Sequence, residues 1–288
     1  MSTHEKKSFP IHHPEVDSQP LILVTNDDGI TSPGLRAAVQ AALPLGEIIV
    51  AAPRRQWSGA GRSMPPSSQT LASSYALQVD GQHVMAYHVD ASPALVVARA
   101  LLGLTPRRPA LLISGINYGE NLGSDITISG TVGAALQGAV SGVPAMAVSL
   151  QTPKETHTNP SDGVDFSAAI HFTRLFARWM LQTTLPFDVD VLKIDVPDDA
   201  TPETPWRLTR VSHHPYFVAT PPPGANPENL TEVDYDTLAH PERTEPDSDI
   251  YALAVDRVVS VAPLSLNLSS RVDREQMKDL LRDLDNPA

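Results

Sequence analysis

Short apolar runs alternate with amphipathic stretches over the first 150 residues. Apolar runs that end in polar residues are typical of buried parallel strands. Four such runs lie at 21–25, 47–52, 110–114 and 144–150. Helical spacing of apolar residues predicts helices over 33–42, 93–104 and 130–141. Each begins with the second residue of a Ser-Pro or Ser-Gly pair, in which the serine is the N-cap. This alternation predicts an α/β fold with a three-layer, mostly parallel sheet and right-handed crossovers.

Two further strands are predicted to form an antiparallel hairpin. The segments 75–80 and 83–89 alternate apolar and polar residues, and an Asp80-Gly81 turn separates them. Asp-Gly suits the tight turns that connect neighbouring antiparallel strands. The hairpin therefore interrupts the order of strand, helix, strand that is expected for the rest of this half.

The second half of the chain has a different character. Its patterns predict a polar loop at 151–165, a helix at 166–181 and a strand at 189–196. A proline-rich stretch at 197–246, a second strand at 250–263 and a charged helix at 274–284 follow. Proline cannot donate to a central sheet ladder, so the proline-rich stretch favours an extension of edge strands and long loops. The fold therefore carries a C-terminal, β-rich extension.

These patterns divide the chain into four parts. Residues 1–19 are expected to be a disordered leader, 20–196 the core, 197–263 an extended arm, and 264–288 a C-terminal helix on the core or a partner. A lone two-stranded ribbon is marginally stable in water, so a second subunit is the expected support of the arm. An arm folded back on its own domain is the alternative.

The acidic balance and the lack of cysteine narrow the range of functions. The chain has 21 Lys and Arg against 33 Asp and Glu, a net charge of −12, which disfavours binding to polymeric nucleic acid. It has no cysteine, which excludes disulfides, Cys-ligated zinc, iron–sulfur clusters and thiol nucleophiles. No apolar run reaches the roughly 18 residues of a membrane span, and the polar N-terminus is unlike a signal peptide. We therefore expect a cytoplasmic, enzyme-sized protein with no membrane partner.

Polar, glycine-containing loops follow the predicted strands. Ligands of open parallel sheets gather outside the carboxyl ends of the strands. The segments expected at this edge are 26–29, 53–63, 115–123 and the helix start at 129–131. We therefore expect these four segments to converge on one site.

Asp27 and Asp28 are adjacent carboxylates directly after an apolar strand. Two negative charges so close repel each other unless a cation or hydrogen bonds compensate. Oxygen ligands without cysteine favour a hard ion such as Mg²⁺ or Mn²⁺, and Ser58 and Asn117 supply neutral oxygens. The alternative is that 26–29 is only a turn before a helix, a role that suits Asn, Asp and Gly equally well.

Ser129-Gly130-Thr131 forms a candidate anion site. A helix that begins here directs free N–H groups and the positive end of its dipole towards the same space, which favours phosphate. Gly130 has no Cβ, so a phosphoryl oxygen can approach the backbone, and a larger residue there should obstruct substrate more than metal. Ordinary capping of the helix by Ser or Thr is the alternative. Neither a G-x-G-x-x-G dinucleotide motif nor a Walker P-loop is present.

Together these loops resemble the survival protein E (SurE) family of nucleoside-monophosphate phosphatases. The motifs that carry the resemblance are Ile22-Leu23-Val24-Thr25-Asn26-Asp27-Asp28-Gly29-Ile30 with Pro33-Gly34-Leu35, Ala52-Pro53 with Gln56 and Ser58-Gly59, Ser114-Gly115-Ile116-Asn117 with Gly119 and Asn121, and Ser129-Gly130-Thr131-Val132-Gly133-Ala134-Ala135. The resemblance is dense over 21–150 and thinner afterwards. Asp195 stands where the family usually has Asn, and Asp247-Ser248 where it has Gly and Thr.

The resemblance implies one divalent metal ion per subunit, Mg²⁺ or Mn²⁺, held by Asp27, Asp28, Ser58 and Asn117. It implies that the protein hydrolyses nucleoside 5′- and 3′-monophosphates to nucleoside and phosphate. It also implies a Rossmann-like catalytic core and a C-terminal extension exchanged between the subunits of a homodimer or homotetramer.

The mechanism that we expect is metal-assisted hydrolysis of a phosphomonoester, in which a metal polarises a phosphoryl oxygen and lowers the pKa of water. Asp27 orients or deprotonates that water, and Asn117 bridges metal and phosphate. Asn121 and the N–H groups of 129–131 bind the phosphate. A covalent aspartyl-phosphate is an open alternative.

Two other functions compete with hydrolysis. A nucleotide-dependent transferase or ligase could use the same anion site, but usually has a lysine at the phosphates, and the glycine loops contain none. A non-catalytic metal or nucleotide sensor would bind tightly without turnover. Phosphate release from a nucleoside monophosphate, with and without added metal, separates the three.

Overall fold

A computed structural model of the chain describes residues 19–66, 71–157, 161, 163–222, 224, 226 and 234–282. The predicted leader lies outside these residues except for the exposed Gln19. None of the described helices combines the length and apolar character needed to cross a membrane.

Eleven strands lie in the described part of the chain. They are β1 (Leu21–Thr25), β2 (Glu47–Pro53), β3 (Ala72–Val79), β4 (Gln82–Val89), β5 (Leu111–Tyr118), β6 (Ala145–Leu150), β7 (Val191–Val196), β8 (Trp206–Leu208), β9 (Phe217–Thr220), β10 (Asp234–Thr237) and β11 (Val259–Leu264). Nine of them form one sheet in the order β3-β4-β2-β1-β5-β6-β7-β11-β8. The run from β4 to β7 is parallel, whereas β3 and β11 pair antiparallel with their inner neighbours. The predicted mostly parallel sheet and the hairpin are confirmed.

Six α-helices complete this part of the fold. They are α1 (Pro33–Ala42), α2 (Pro93–Gly103), α3 (Gly130–Val140), α4 (Ser167–Gln182), α5 (Asp249–Ala254) and α6 (Arg274–Leu281). Successive side chains of a strand point to opposite faces, so each inner strand contributes to two cores. In β1, Ile22 packs in the core that contains α1 and α4, and Leu23 in the core that contains α2 and α3. The sheet is therefore the middle of three layers, as predicted.

The predicted strand over 250–263 is wrong in its first half. Residues 249–254 form the short helix α5, and the strand β11 begins only at Val259. Ser248 caps this helix, because its Oγ accepts a hydrogen bond from the N–H of Tyr251 at 3.2 Å. A short apolar run such as Ile250 to Ala254 does not distinguish a strand from a buried helix, which is the reason for the difference.

The two ends of the predicted arm, 197–263, join the main sheet. β11 pairs with β7, and β8 pairs with β11 at the sheet edge. The antiparallel ribbon of β9 and β10 forms a second, two-stranded sheet. The role of the arm in oligomerisation stays a prediction. Every residue of α6 is exposed, and its packing on the core or on a partner stays a prediction too.

Candidate active site and metal centre

A cavity of about 320 Å³ opens beside the carboxyl ends of β1 and β5 and the first turn of α3. Six of the predicted site residues line it: Asp27, Ser58, Asn117, Asn121, Ser129 and Gly130. Thr131 and Asp28 contact its lining, since Thr131 donates a hydrogen bond to Asp27 and Asp28 accepts one from the Tyr118 N–H. The structure therefore brings all eight predicted residues to one place.

Asp27 is buried at the carboxyl end of β1, where the chain turns sharply. Asn26 closes the turn, because its side chain donates to the carbonyl of Gly29 at 3.0 Å and accepts from the Gly29 N–H at 3.3 Å. Burial raises the pKa of Asp27 to about 6, although hydrogen bonds from the hydroxyl and backbone N–H of Thr131 act in the opposite direction. The start of α3 thus stabilises the Asp27 carboxylate.

Asp28 is the second buried carboxylate of this turn. Its two oxygens accept hydrogen bonds at 3.3 Å, one from the Tyr118 N–H and the other from the Gln56 amide. Burial and the neighbouring charge of Asp27 raise the pKa of Asp28 well above its usual range. Two buried carboxylates in contact with neutral donors form an environment that a cation would stabilise strongly.

Gln56 ties three parts of the site together. Its Nε2 lies within hydrogen-bond distance of Ser58 Oγ at 2.9 Å, of the His157 carbonyl at 2.5 Å and of Asp28. Ser58 is exposed at the cavity and follows β2. The loop after β2 is thereby held beside the carboxylates, which places the neutral oxygen of Ser58 on their side of the cavity.

Asn117 lies in β5 where its pairing with β6 shifts register, between Ser114 and Asn117. Its Nδ2 donates to the carbonyls of Gly119 at 2.7 Å and Tyr118 at 3.2 Å. Because the nitrogen is engaged by carbonyls, Oδ1 is the side-chain atom left to serve as an oxygen ligand. The irregular strand end thus supplies a second neutral oxygen at the cavity.

The donor set fits a hard divalent cation. Within the described ranges, no three His, Asp or Glu side chains are grouped to hold a metal ion. Two carboxylates with a hydroxyl and an amide oxygen are the oxygen ligands that Mg²⁺ and Mn²⁺ take in proteins. The residues predicted as ligands therefore agree chemically with the predicted metal.

The helix start at 129–131 differs from the expected phosphate cradle in two respects. Ser129 caps α3, because its Oγ accepts from the Val132 N–H at 3.1 Å. The Thr131 N–H faces Asp27, so that donor serves the carboxylate. Gly130 is left with its backbone facing the cavity.

Gly130 also lies directly against a predicted metal ligand. A Cβ atom at this position would lie 2.7 Å from Oδ2 of Asp27 and 2.8 Å from its Cβ. The expectation that a larger residue at 130 obstructs substrate more than metal requires metal ligands that are independent of the helix start, and this contact contradicts that premise. The relative effect on substrate and metal stays a prediction.

Asn121 reaches the cavity from the loop after β5. Its Nδ2 donates to Ser149 Oγ at 2.7 Å, and its backbone N–H donates to Asp195 Oδ1 at 2.8 Å. An amide nitrogen carries two hydrogens, so one of them remains for an anion in the cavity.

An aromatic wall was missed in the sequence. It consists of His157, Phe217 and Tyr235, which all line the cavity. His157 stacks on Tyr235 with 6.1 Å between ring centroids, and Phe217 contacts both rings edge-on at 5.9 and 5.2 Å. Burial lowers the pKa of His157, whose Nδ1 lies 2.8 Å from the Tyr235 hydroxyl. Two of these rings come from β9 and β10, and no local motif marks them.

Glu120 is a second residue that sequence reasoning missed. It lines the cavity with the side chain almost fully buried, and burial raises its pKa to about 7. The Tyr216 hydroxyl and the Gln151 amide face its carboxyl group. A glutamate between two glycine-containing turns is typical of an exposed loop. No local sequence pattern therefore indicates that Glu120 is buried.

Comparisons with known proteins identify relatives of this chain. The model of the family described as Survival protein SurE matches residues 22–217. A protein named 5′-nucleotidase SurE from Thermococcus gammatolerans is 40% identical, and the alignment covers 90% of this chain and 95% of that protein. A protein of the same name from Thermococcus kodakarensis is 38% identical, with 90% and 98% covered.

A solved structure shares the fold. The crystal structure of SurE protein from Aquifex aeolicus is similar with a TM-score of 0.72 and 27% sequence identity, and it covers 91% of this chain and 99% of its own. The family match includes all four loops that meet at the cavity. The chain therefore belongs to the survival protein SurE family.

Proposed function

We propose that this protein is a nucleotidase that hydrolyses nucleoside 5′- and 3′-monophosphates to nucleoside and phosphate. The observation that carries the proposal is one cavity whose lining combines two kinds of group. The buried Asp27 and the backbone of Gly130 are polar, whereas Phe217 and Tyr235 are aromatic rings. A nucleoside monophosphate has the same two parts, a charged phosphate and a flat aromatic base. The relatives named 5′-nucleotidase SurE support the 5′-nucleotidase activity in this proposal.

We propose that Asp27, Asp28, Ser58 and Asn117 hold one divalent ion per subunit, Mg²⁺ or Mn²⁺. Their oxygen-only donor set and the two buried carboxylates support this assignment. Such an ion, when bound, supplies charge neutralisation and a lowered pKa for water.

The residues of the chain have separate tasks in this proposal. Asp27 accepts the proton of the attacking water, and the hydrogen bond from Thr131 Oγ1 fixes the orientation of its carboxylate. The free hydrogen of Asn121 Nδ2 binds the phosphate, and the N–H of Gly130 stabilises charge on the phosphoryl oxygens. Asn117 offers Oδ1 to the ion, whereas both hydrogens of its Nδ2 are engaged by the carbonyls of Tyr118 and Gly119, so it is proposed as a ligand of the ion and not of the phosphate.

The aromatic wall is proposed to bind the base. Phe217 and Tyr235 lie at 5.2 Å with an interplanar angle of 73°, so a flat base can pack on one ring and contact the edge of the other. Stacking on aromatic side chains tolerates all bases because every base has a π face. The wall therefore favours nucleotides over other phosphomonoesters without selecting one base.

A comparison of AMP with ribose 5-phosphate tests this assignment. Ribose 5-phosphate keeps the phosphate and sugar and lacks the base, so we expect its kcat/KM to be at least about tenfold lower than that of AMP. Phe217→Ala should reduce this preference and leave ribose 5-phosphate turnover nearly unchanged. Equal turnover of both compounds would contradict base binding by the wall.

The same experiment separates hydrolysis from the two other functions. A sensor would bind AMP without releasing phosphate, and a transferase would release phosphate only in proportion to a second substrate. No observation on the described residues favours either one. Failure to release phosphate from any nucleoside monophosphate would contradict the nucleotidase.

We further propose that the protein is a cytoplasmic homodimer or homotetramer whose contacts involve the arm. Trp206 and Leu208 of the edge strand β8 are more than half exposed in the single chain, which supports a partner surface there.

A further inference from the structure

Three charged side chains are completely buried beneath the loop that carries Asn121. Lys193 and Asp195 belong to β7, and Asp249 begins α5. Lys193 Nζ forms an ion pair with Asp195 Oδ2 and a second with Asp249 Oδ2 at 3.1 Å, and all three side chains have no exposed surface. We call this group the buried triad.

The triad occupies positions where the fold would accept apolar residues. Lys193 and Asp195 are two residues apart on a strand and so point to one face of the sheet. Val191 precedes them on that face and belongs to the core that contains α2 and α3. A buried ion pair is often no more stabilising than well-packed apolar side chains, so stability alone is a weak explanation for the triad.

The hydrogen bonds that Lys193 and Asp195 make outside the triad go to the loop that carries Asn121. Asp195 Oδ1 accepts from the Asn121 N–H at 2.8 Å, and Lys193 Nζ donates to the Asn121 carbonyl at 2.8 Å. Asp249 Oδ2 accepts from the Gly123 N–H at 3.1 Å. Both backbone groups of Asn121 are therefore held by Lys193 and Asp195.

We propose that Lys193 and Asp195 are positioning residues for the substrate phosphate, and that they act by fixing the backbone of Asn121. The side chain of Asn121 then stays beside Ser149 with one amide hydrogen free for the phosphate. This inference rests on the phosphate-binding role of Asn121 in the proposed function. It also explains why a carboxylate stands at 195, since Lys193 and the Asn121 N–H face different oxygens of Asp195, and an asparagine would present its NH2 group to one of these two donors.

Asp195→Asn is the first test. The asparagine leaves one of these two donors without an acceptor, so the 121–123 loop shifts. We expect KM for AMP to rise and the affinity for inorganic phosphate to fall, each about tenfold, with kcat within about threefold and metal affinity unchanged. Asn121→Ala should give a similar loss, and the double variant no further loss, because the effect passes through Asn121.

The second test is the double variant Lys193→Met with Asp195→Leu. It tests the proposal even if Asp195→Asn does not fold. It removes both ties to Asn121 and keeps the net charge of the cluster at −1. Asp249 remains hydrogen-bonded to the N–H groups of Gly123, Ser212 and Ile250. We expect a folded protein with the same loss of phosphate affinity.

Ile194→Ala provides the matched control. Ile194 lies between Lys193 and Asp195, is fully buried and faces the opposite core. Its truncation lowers the melting temperature, but phosphate affinity and KM should stay as in the wild type. If the triad variants lowered only the melting temperature, or lowered phosphate affinity no more than Ile194→Ala, the positioning role would be wrong. A wild-type protein that binds phosphate but does not release it from AMP would contradict the proposed function. The phosphate affinities of the triad variants and of Ile194→Ala would still test the positioning role in that case.

Discussion

Gly130, the first residue of α3, packs against Asp27, which follows β1: a Cβ atom on Gly130 would be 2.7 Å from Asp27 Oδ2. The start of α3 and the turn after β1 therefore form one structural unit. The same carboxylate accepts from the hydroxyl of Thr131, the next residue of the helix. Phosphate binding and metal binding are thus expected to respond together to changes at this contact.

Gly130→Ala tests this coupling. The added methyl group displaces the Asp27 carboxylate, because it would meet both Oδ2 and Cβ of that residue. We expect metal affinity to fall about tenfold or more, and kcat/KM by about 10²–10³-fold, as for loss of a transition-state contact. Calorimetric metal titration and steady-state kinetics measure both.

Gly103→Ala is the control for this variant. A Cβ at Gly103 would meet nothing within 4 Å, and the residue ends α2 with an ordinary helical backbone. It should leave metal affinity and turnover unchanged. If Gly130→Ala kept the wild-type metal affinity and lost only turnover, the contact between Gly130 and Asp27 would not couple metal binding to the start of α3.

Thr131→Val tests the hydrogen bond to Asp27 with little change of shape. The bond is buried and made to a carboxylate, a type whose loss costs about 1.5–3 kcal/mol. We expect roughly tenfold weaker metal binding and a higher pKa of Asp27, because the bond favours the ionised form. Thr131→Ser keeps the hydroxyl and should retain most of the wild-type affinity. Equal metal affinities of Thr131→Val and Thr131→Ser would show that this hydrogen bond does not contribute to metal binding.

Much of the core could be predicted because local signals and tertiary packing agree there. The apolar run at β1 is buried along its full length, and Ser32-Pro33 marks the start of α1 correctly. The four loops could be assigned to one edge because parallel strands deliver their carboxyl ends together. The convergence of Asp27, Ser58, Asn117 and Gly130 follows from topology alone.

The aromatic wall and the helix α5 could not be predicted for a physical reason. Tyr235 contacts His157 because the ribbon of β9 and β10 lines the cavity, and the two residues are 78 positions apart in the sequence. No periodicity within either segment encodes that contact. Short apolar stretches such as 250–254 fit a strand or a buried helix equally well, and the Ser248 cap was the signal that could have decided it.

Glu120 is expected to make the stability of the fold depend on pH. Its pKa is raised from 4.5 to about 7 by burial, so the folded state binds the proton more tightly than the unfolded state. The stabilisation is complete below pH 4.5 and is lost as the pH rises through about 7. Each pKa unit corresponds to 1.36 kcal/mol, so the loss approaches about 3 kcal/mol at pH 8.

Glu120→Gln removes this dependence, because the amide resembles the protonated acid. The free energy of unfolding of the variant should exceed that of the wild type at pH 8 and match it near pH 4.5. Denaturant titrations across this range measure the difference. Parallel stability curves for the two proteins would contradict the raised pKa.

The proposed oligomer predicts a particle larger than one chain in solution. Light scattering on the purified protein at micromolar concentration should give a dimer or tetramer. A chain that ends at residue 272 lacks α6, whose residues are all exposed, and it should remain oligomeric if the arm holds the subunits together. A monomeric full-length protein would contradict the role of the arm.

Metal dependence of phosphate release from AMP is the most direct test of the central claim. We expect turnover to disappear after dialysis against a chelator and to return on addition of Mn²⁺ or Mg²⁺. Asp28→Asn should need far more metal for the same recovery, because it removes one of two buried carboxylates without changing the shape of the turn. Full turnover of the chelated wild type, or wild-type metal dependence in Asp28→Asn, would contradict a metal-assisted nucleotidase at this site.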